Sequence, residues 1–152
     1  MKFRLESILS LKENIEQVKQ KELADAFAKK QAILIRQQSY IDAKDHLNQT
    51  IKDSLNGSIT PQELIINTRY IGVLDTQIQN IQVEITNVDA EIEVKRLALV
   101  EAMKERKILD NLKEMQLEEF RKEELLEDQK LTDEVVGYRY IQRERGEDES
   151  GH

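Results

Sequence analysis

Apolar residues return every three or four positions along most of this chain, with polar residues between them. From Leu5 to Leu55 neither proline nor glycine interrupts the rhythm. Ile8, Leu11, Ile15 and Val18, then Ala26, Ile33, Tyr40, Leu47 and Ile51, fall at spacings that suit the seam of a coiled coil. The steps from Val18 through Glu22 to Ala26 are two fours in succession, the mark of a stutter that locally unwinds a supercoil. Lys30, Gln37 and Lys44 also fall on this seam, where their stems can run past a partner helix and penalise competing registers. Beyond Pro61 the rhythm is stricter. Ile71, Ile78, Ile85, Ile92 and Leu99 recur by sevens, interleaved with Leu74, Ile81, Val88, Ala102 and Leu109. Only Lys95 and Arg106 interrupt that ladder.

Between the two helical stretches lies Leu55-Asn56-Gly57-Ser58-Ile59-Thr60-Pro61-Gln62-Glu63-Leu64, which holds the only proline in the sequence. Asn56-Gly57 reads as the end of a helix, with glycine supplying a left-handed cap. Thr60 reads as the N-cap of the next, Pro61 as its first residue, and Glu63 as the reciprocal half of a capping box. Ile59 can pack on Leu64 as a hydrophobic staple. The pattern therefore predicts an all-α fold: two long helices in an antiparallel coiled-coil hairpin, the second longer. Arm one covers about 4–55, the turn 56–60, and arm two about 61–136.

Folding at the turn places residue i opposite roughly residue 118 − i. Leu47 then faces Ile71, Tyr40 faces Ile78, Ile33 faces Ile85, Ala26 faces Ile92, and Leu9 faces Leu109. Lys95 comes opposite Glu22, so an ion pair is expected there. Gly72 is expected to mark close packing against the first arm. By the same register Leu5 matches Lys113, so Glu114 to Val136 project beyond the first arm as a charged helix with spaced apolar residues. After Gly137 the periodicity is lost, and residues 137–152 are expected to form a disordered tail.

Composition agrees with long helices and a narrow apolar seam: 35% of residues are charged and 5% aromatic, with no tryptophan. The formal charge of −7 is spread with both signs mixed, which shows neither a nucleic-acid footprint nor a polybasic membrane patch. Without cysteine there is no disulfide framework, zinc ribbon or thiol nucleophile. The N-terminus lacks the apolar core of a signal peptide, and runs such as Ala32-Ile33-Leu34-Ile35 are too short to span a bilayer, so a cytoplasmic protein without direct membrane insertion is expected.

Candidate chemistry is sparse. No phosphate-binding loop, dinucleotide turn or nucleophile elbow occurs, and a pair of helices forms no pocket that excludes water. Asp42 and His46 share a helix face, but with no further ligand pattern they read as a solvated surface rather than a metal site. An enzyme is the least favoured class, and no cofactor is expected. What stands out instead is apolar surface beside the seam: Ile66, Tyr70 and Val73 near the turn on arm two, with Ile41 beside Tyr40 on arm one. Either they thicken the seam or they dock a partner. The end that holds both termini, with Phe3, Leu5 and the projecting helix, is a second such surface.

Three segments resemble the flagellar export protein FliJ family. Phe3-Arg4-Leu5-Glu6-Ser7-Ile8-Leu9-Ser10-Leu11-Lys12-Glu13 is similar to that family's N-terminal segment. Gly57 to Glu63, followed by Tyr70-Ile71 and Leu74-Asp75, is similar to its hairpin tip. Leu112 to Gln116 and Glu118 to Glu134 resemble its charged C-terminal helix. The resemblance implies a soluble component of the type III export apparatus at the base of the bacterial flagellum, peripheral to the cytoplasmic face of the membrane and built like the central stalk of rotary ATPases. It implies as partners the hexameric export ATPase, the cytoplasmic domain of the export gate protein, and substrate-free export chaperones. Carried over by position, Tyr70 and Leu74 match gate-contacting positions, and Tyr40 and Ile41 are the candidates on the facing arm. Phe3, Leu5, Ile8, Leu112, Met115 and Phe120 are the candidates for binding the ATPase ring. A generic coiled-coil tether, or the corresponding stalk of a virulence type III secretion system, is the alternative reading.

Overall fold

The computed structural model describes residues 2–57 and 59–150, the side chains of 147–150 excepted. It consists of two α-helices, α1 (Glu6–Leu55) and α2 (Pro61–Ser150), of 50 and 90 residues. They pack antiparallel as the expected hairpin, with no strand among the described residues. The chain divides into two compact units, one of Glu13–Lys104 and one of Met1–Lys12 with Glu105–His152.

In the unit Glu13–Lys104, the turn is closed by its own side chains. The Glu63 N–H donates to Thr60 Oγ1 at 3.2 Å and the Leu64 N–H to the Thr60 carbonyl at 3.2 Å, so Thr60 is the N-cap and Pro61 the first helical residue. Gly57 departs from expectation: it does not adopt positive φ. α1 instead ends by tightening, with the Gly57 N–H donating to the Ser54 carbonyl at 3.1 Å. A three-residue bond of this kind satisfies a terminal carbonyl without a left-handed residue.

The core of this unit is Ile33 of α1 against Ile81, Ile85 and Val88 of α2, with Leu34, Tyr40 and Ile92 packed on it. Ile81 and Val88 are the most fully buried of the large side chains. Along α1 one line of covered positions runs through Glu16, Lys19, Leu23, Ala26, Lys30, Ile33, Gln37, Tyr40, Lys44, Leu47 and Ile51, with Ile15, Glu22, Leu34, Ile41, Ala43 and Ser54 half-buried beside it. Its spacing alternates strictly between three and four, without the expected stutter. Val18, assigned to the seam from sequence, is 54% exposed. The reason lies in α2, whose covered positions from Ile71 to Phe120 keep an unbroken seven-residue repeat. Two helices sharing one supercoil must keep one periodicity, and a stutter in one arm alone would rotate its seam away from the other.

The lysines of the α1 seam are paired rather than stranded. Lys30 meets Asp89 at 2.7 Å and Lys44 meets Asp75. Glu22 accepts both Lys19 and the expected partner Lys95, each at 3.5 Å. Arg36–Glu84 and Lys29–Glu91 bridge the arms on one flank. Each cross-arm pair falls within two residues of the 118 − i register. Among the described residues, no buried side-chain nitrogen or oxygen lacks a hydrogen-bond partner.

Gly72 is the second departure. It is exposed, and a Cβ built there meets nothing within 4 Å, so it marks no close approach to α1. It lies one residue past the seam position Ile71, on the outward side of α2.

In the unit Met1–Lys12 with Glu105–His152, Phe3, Leu9 and Leu109 form a small core with Leu5 packed against it. A turn holds Phe3 in place, the Glu6 N–H donating to the Phe3 carbonyl at 3.2 Å. Lys12–Glu105 (2.9 Å) and Lys113–Glu6 (2.9 Å) keep the same register. Phe3 extends the covering of α2 further than sequence indicates: Gln116, Leu117 and Phe120 remain half-buried, and full exposure begins at Arg121. α2 does not stop at Val136. It continues to Ser150, so residues 137–150 are helix rather than a disordered tail, while Gly151 and His152 lie outside the described residues. Apolar periodicity reports packing and not helicity. An exposed helix needs only its own backbone bonds and tolerable residues, and Gly137 and Gly146 cost about 1 kcal/mol each.

Candidate functional site

Two sets of residues near the turn and near the termini carry the apolar surface that the seam leaves over. The hairpin has two flanks, distinguished by the ion pairs that cross them. Tyr70 repeats by sevens with Glu84 and Glu91, which places it on the Arg36–Glu84 flank. Ile41 repeats with Leu34 and lies toward the other flank, where Lys44 meets Asp75. The four candidates for gate binding are therefore not brought together. Tyr40 packs on the core and Leu74 is 2% exposed, so both are seam residues. Ile41 is half-buried. Tyr70 alone is open, at 52%, and it continues a stripe formed with Ile66 and Val73. That stripe follows from three- and four-residue steps on one helix, adjacent to the seam but turned out of it.

At the termini the six candidates for ring binding divide differently. Phe3 is buried and Leu5 half-buried in the small core, where they support surface rather than present it. Ile8 and Leu112 are each 42% exposed and Met115 65%. Phe120 is half-buried. Phe3, Arg4 and Leu5 on one side, and Leu112, Met115 and Gln116 with Glu119 on the other, line a cleft of about 450 Å³. Ile8 and Leu112 occupy the same helix positions as the flank pairs Lys29–Glu91 and Arg36–Glu84. In this unit the ion pair is replaced by two aliphatic side chains. Leu11 and Ile108, also exposed, extend the patch. The sequence alone does not single them out, because Leu11 falls at a seam spacing and Ile108 stands beside Leu109. The signal that finds them is Ile108, Leu112 and Met115 recurring at four and three residues, parallel to the seam.

Nothing in either set is chemically reactive. Among the described residues the titrations of Glu93 and Arg96 are displaced: a hydrogen bond from the Arg96 guanidinium holds the Glu93 carboxyl below its usual range and raises Arg96. Both are exposed on a single helix face, which makes the pair a local i,i+3 contact. Asp42 accepts from Gln38 and is exposed, as is His46. No group of three or more potential metal ligands converges among the described residues.

Geometry thus offers docking surface of aliphatic and aromatic character with charged surroundings. No curated protein and no solved structure was found to match the chain. Residues 1–145 match the family model described as Flagellar FliJ protein, which takes in both arms, the turn and nearly all of the exposed end of α2. With that match covering almost its whole length, the chain belongs to the flagellar FliJ family.

Proposed function

We propose that this chain is the stalk-like soluble component of the flagellar type III export apparatus that activates the export ATPase ring and ties it to the export gate. Family membership makes it a flagellar export component. The finer role is supported best by the apolar cleft of Phe3, Leu5, Leu112 and Met115, which lies over the small core of Phe3, Leu9 and Leu109 and leaves Leu112 and Met115 exposed. A ring that closes around a helix pair would meet this surface together with the exposed helix beyond Phe120. The Ile66–Tyr70–Val73 stripe is the surface offered to the cytoplasmic domain of the gate, and the charged helix flanks are offered to substrate-free chaperones. No described helix is long and apolar enough to cross a membrane, and the chain works at the cytoplasmic face of the flagellar base.

Purified chain added to the export ATPase raises hydrolysis and ring formation in this reading. Met115→Asp with Leu112→Asp lowers the stimulation by about tenfold, as loss of a central apolar contact does, while circular dichroism shows helicity unchanged. Undiminished stimulation by that variant would remove the cleft from the mechanism. Tyr70→Ala weakens capture of the gate domain by about fivefold or more. Leu74→Ala acts otherwise: as a seam residue it lowers the stability of the hairpin by about 2–4 kcal/mol.

A further inference from the structure

From Arg121 to Gly146 every residue of α2 is exposed, about 25 residues of helix or close to 40 Å with nothing packed on it. An isolated helix of this length is marginal in water, and weak i,i+4 pairs such as Glu118–Lys122 do not change that. One face of it nonetheless carries a short apolar line, Leu131, Val135 and Tyr138 at four- and three-residue steps, with carboxylates between it and Phe120. Leu125, Leu126, Val136, Tyr140 and Ile141 fall on other faces.

Charge along the segment is divided. Between Glu118 and Glu134 there are eight carboxylates against Arg121, Lys122 and Lys130. Between Val135 and Arg145 the balance reverses, with Arg139, Arg143 and Arg145 against Glu144 alone. No described residue forms an ion pair with Arg139. A parallel second copy would set like charge beside like. An antiparallel one sets the basic stretch of each copy beside the acidic stretch of the other.

We propose that the unpaired end of α2 is an interface for a second copy of this chain, the two helices antiparallel and residue i of one facing about residue 266 − i of the other. Leu131 of each copy then packs on Val135 of the other, and the two-fold axis passes near Asp133. Tyr138 covers Asp128, and Arg139 on the flank reaches the same Asp128 carboxylate. Each contact occurs twice, as an isologous interface requires. The apolar line is short, so the dimer is reversible. Because it occupies the face that any other partner of this helix would use, it holds the free chain in a stored form.

Sedimentation equilibrium on the full chain tests this without the ATPase or the gate, so its outcome is separate from that of the proposed function. The wild-type chain reports twice its monomer mass at high concentration. Arg139→Glu raises the dissociation constant by about tenfold, since two exposed ion pairs become two repulsions. Asp128→Arg does the same. The double variant Arg139→Glu/Asp128→Arg restores association. Within one helix these residues are eleven positions apart and out of reach, so rescue can arise only between antiparallel copies. Neither site touches the hairpin core, and unchanged helicity in all three variants keeps the comparison valid. A wild-type chain that stays monomeric overturns the proposal and assigns the face to another protein. A dimer indifferent to the single variants, or one that the double variant fails to restore, overturns it equally.

Discussion

The two arms contribute unequally to one seam. α2 lines it with Ile71, Leu74, Ile78, Ile81, Ile85, Val88 and Ile92 in succession, whereas α1 answers with Lys19, Lys30, Gln37 and Lys44 among its apolar positions. α1 meanwhile leaves Ile8, Leu11 and Val18 on its surface at 42–55% exposure. From Ile71 to Ile92 the seam of α2 is wholly apolar; that of α1 is not. The apolar ladder of α2 fixes where the seam runs. α1 is then held in that phase at its middle by Ala26, Ile33 and Tyr40, while Lys30, Lys44 and Glu22 reach across to Asp89, Asp75 and Lys95. Burial follows the partner's periodicity more closely than it follows the residue's own polarity.

The sharpest way to break this contrast is to truncate matched residues on and off the seam. Ile81→Ala lowers stability by about 3 kcal/mol, since it opens a cavity in the tightest layer. Val18→Ala, an exposed residue on a helix face, changes it by no more than about 0.5 kcal/mol. Urea unfolding followed by circular dichroism reads both, and equal losses would show that α1 uses the seam first expected from its sequence. A smaller effect, about 1 kcal/mol of stabilisation, is expected for Gly72→Ala, because the added methyl enters open space and the helix loses a glycine. A loss there would mean that α1 comes close after all.

Two further substitutions sharpen the comparison at lower amplitude. Lys30→Leu exchanges an ion pair of half-buried lysine for an apolar seam contact. Stability rises or holds while specificity falls, so size-exclusion chromatography gains species larger than the wild-type profile. The smallest effect belongs to the Glu93–Arg96 pair. Its lowered carboxyl contributes stability that is present above the ordinary glutamate range and lost as pH falls through the depressed value. Carbon-detected titration shows Glu93 protonating later on acidification than other surface glutamates, and Arg96→Gln removes the difference.

Much of the fold is legible in the residues. Thr60, Pro61 and Glu63 mark the start of α2 because capping chemistry is local, and the Glu63 N–H to Thr60 bond is the feature that spacing implies. Counting outward from that point gives a register good enough to anticipate Glu22–Lys95. Three features were not legible, each because it depends on something away from its own residues. The phase of α1 before Ala26 depends on α2. Gly57 is compatible with a left-handed cap but the helix closes instead through Ser54. The apolar pattern of α2 ends near Val136, although the helix continues without one. The candidate surfaces were legible as regions and not as residues. Exposure separates Tyr70 from Leu74, and Met115 from Phe3, and no spacing rule makes that distinction in advance.

The turn at Thr60 also sets an order of events in folding. Contacts beside it join residues close in sequence, while Arg36–Glu84 already spans 48 residues and Lys12–Glu105 spans 93. Closing the longer of these two loops first costs about 0.6 kcal/mol more than the shorter, since the entropy grows with the logarithm of loop length. Zipping from the turn avoids even that, because each formed layer shortens the next search. The hairpin therefore assembles from Pro61 outward, and Phe3, Leu9 and Leu109 close last. Read in reverse, within the paired part of the hairpin amide exchange is fastest at the layer of Phe3, Leu9 and Leu109. A partner bound at the cleft beside that layer, as proposed above, would act as a clasp on the whole fold.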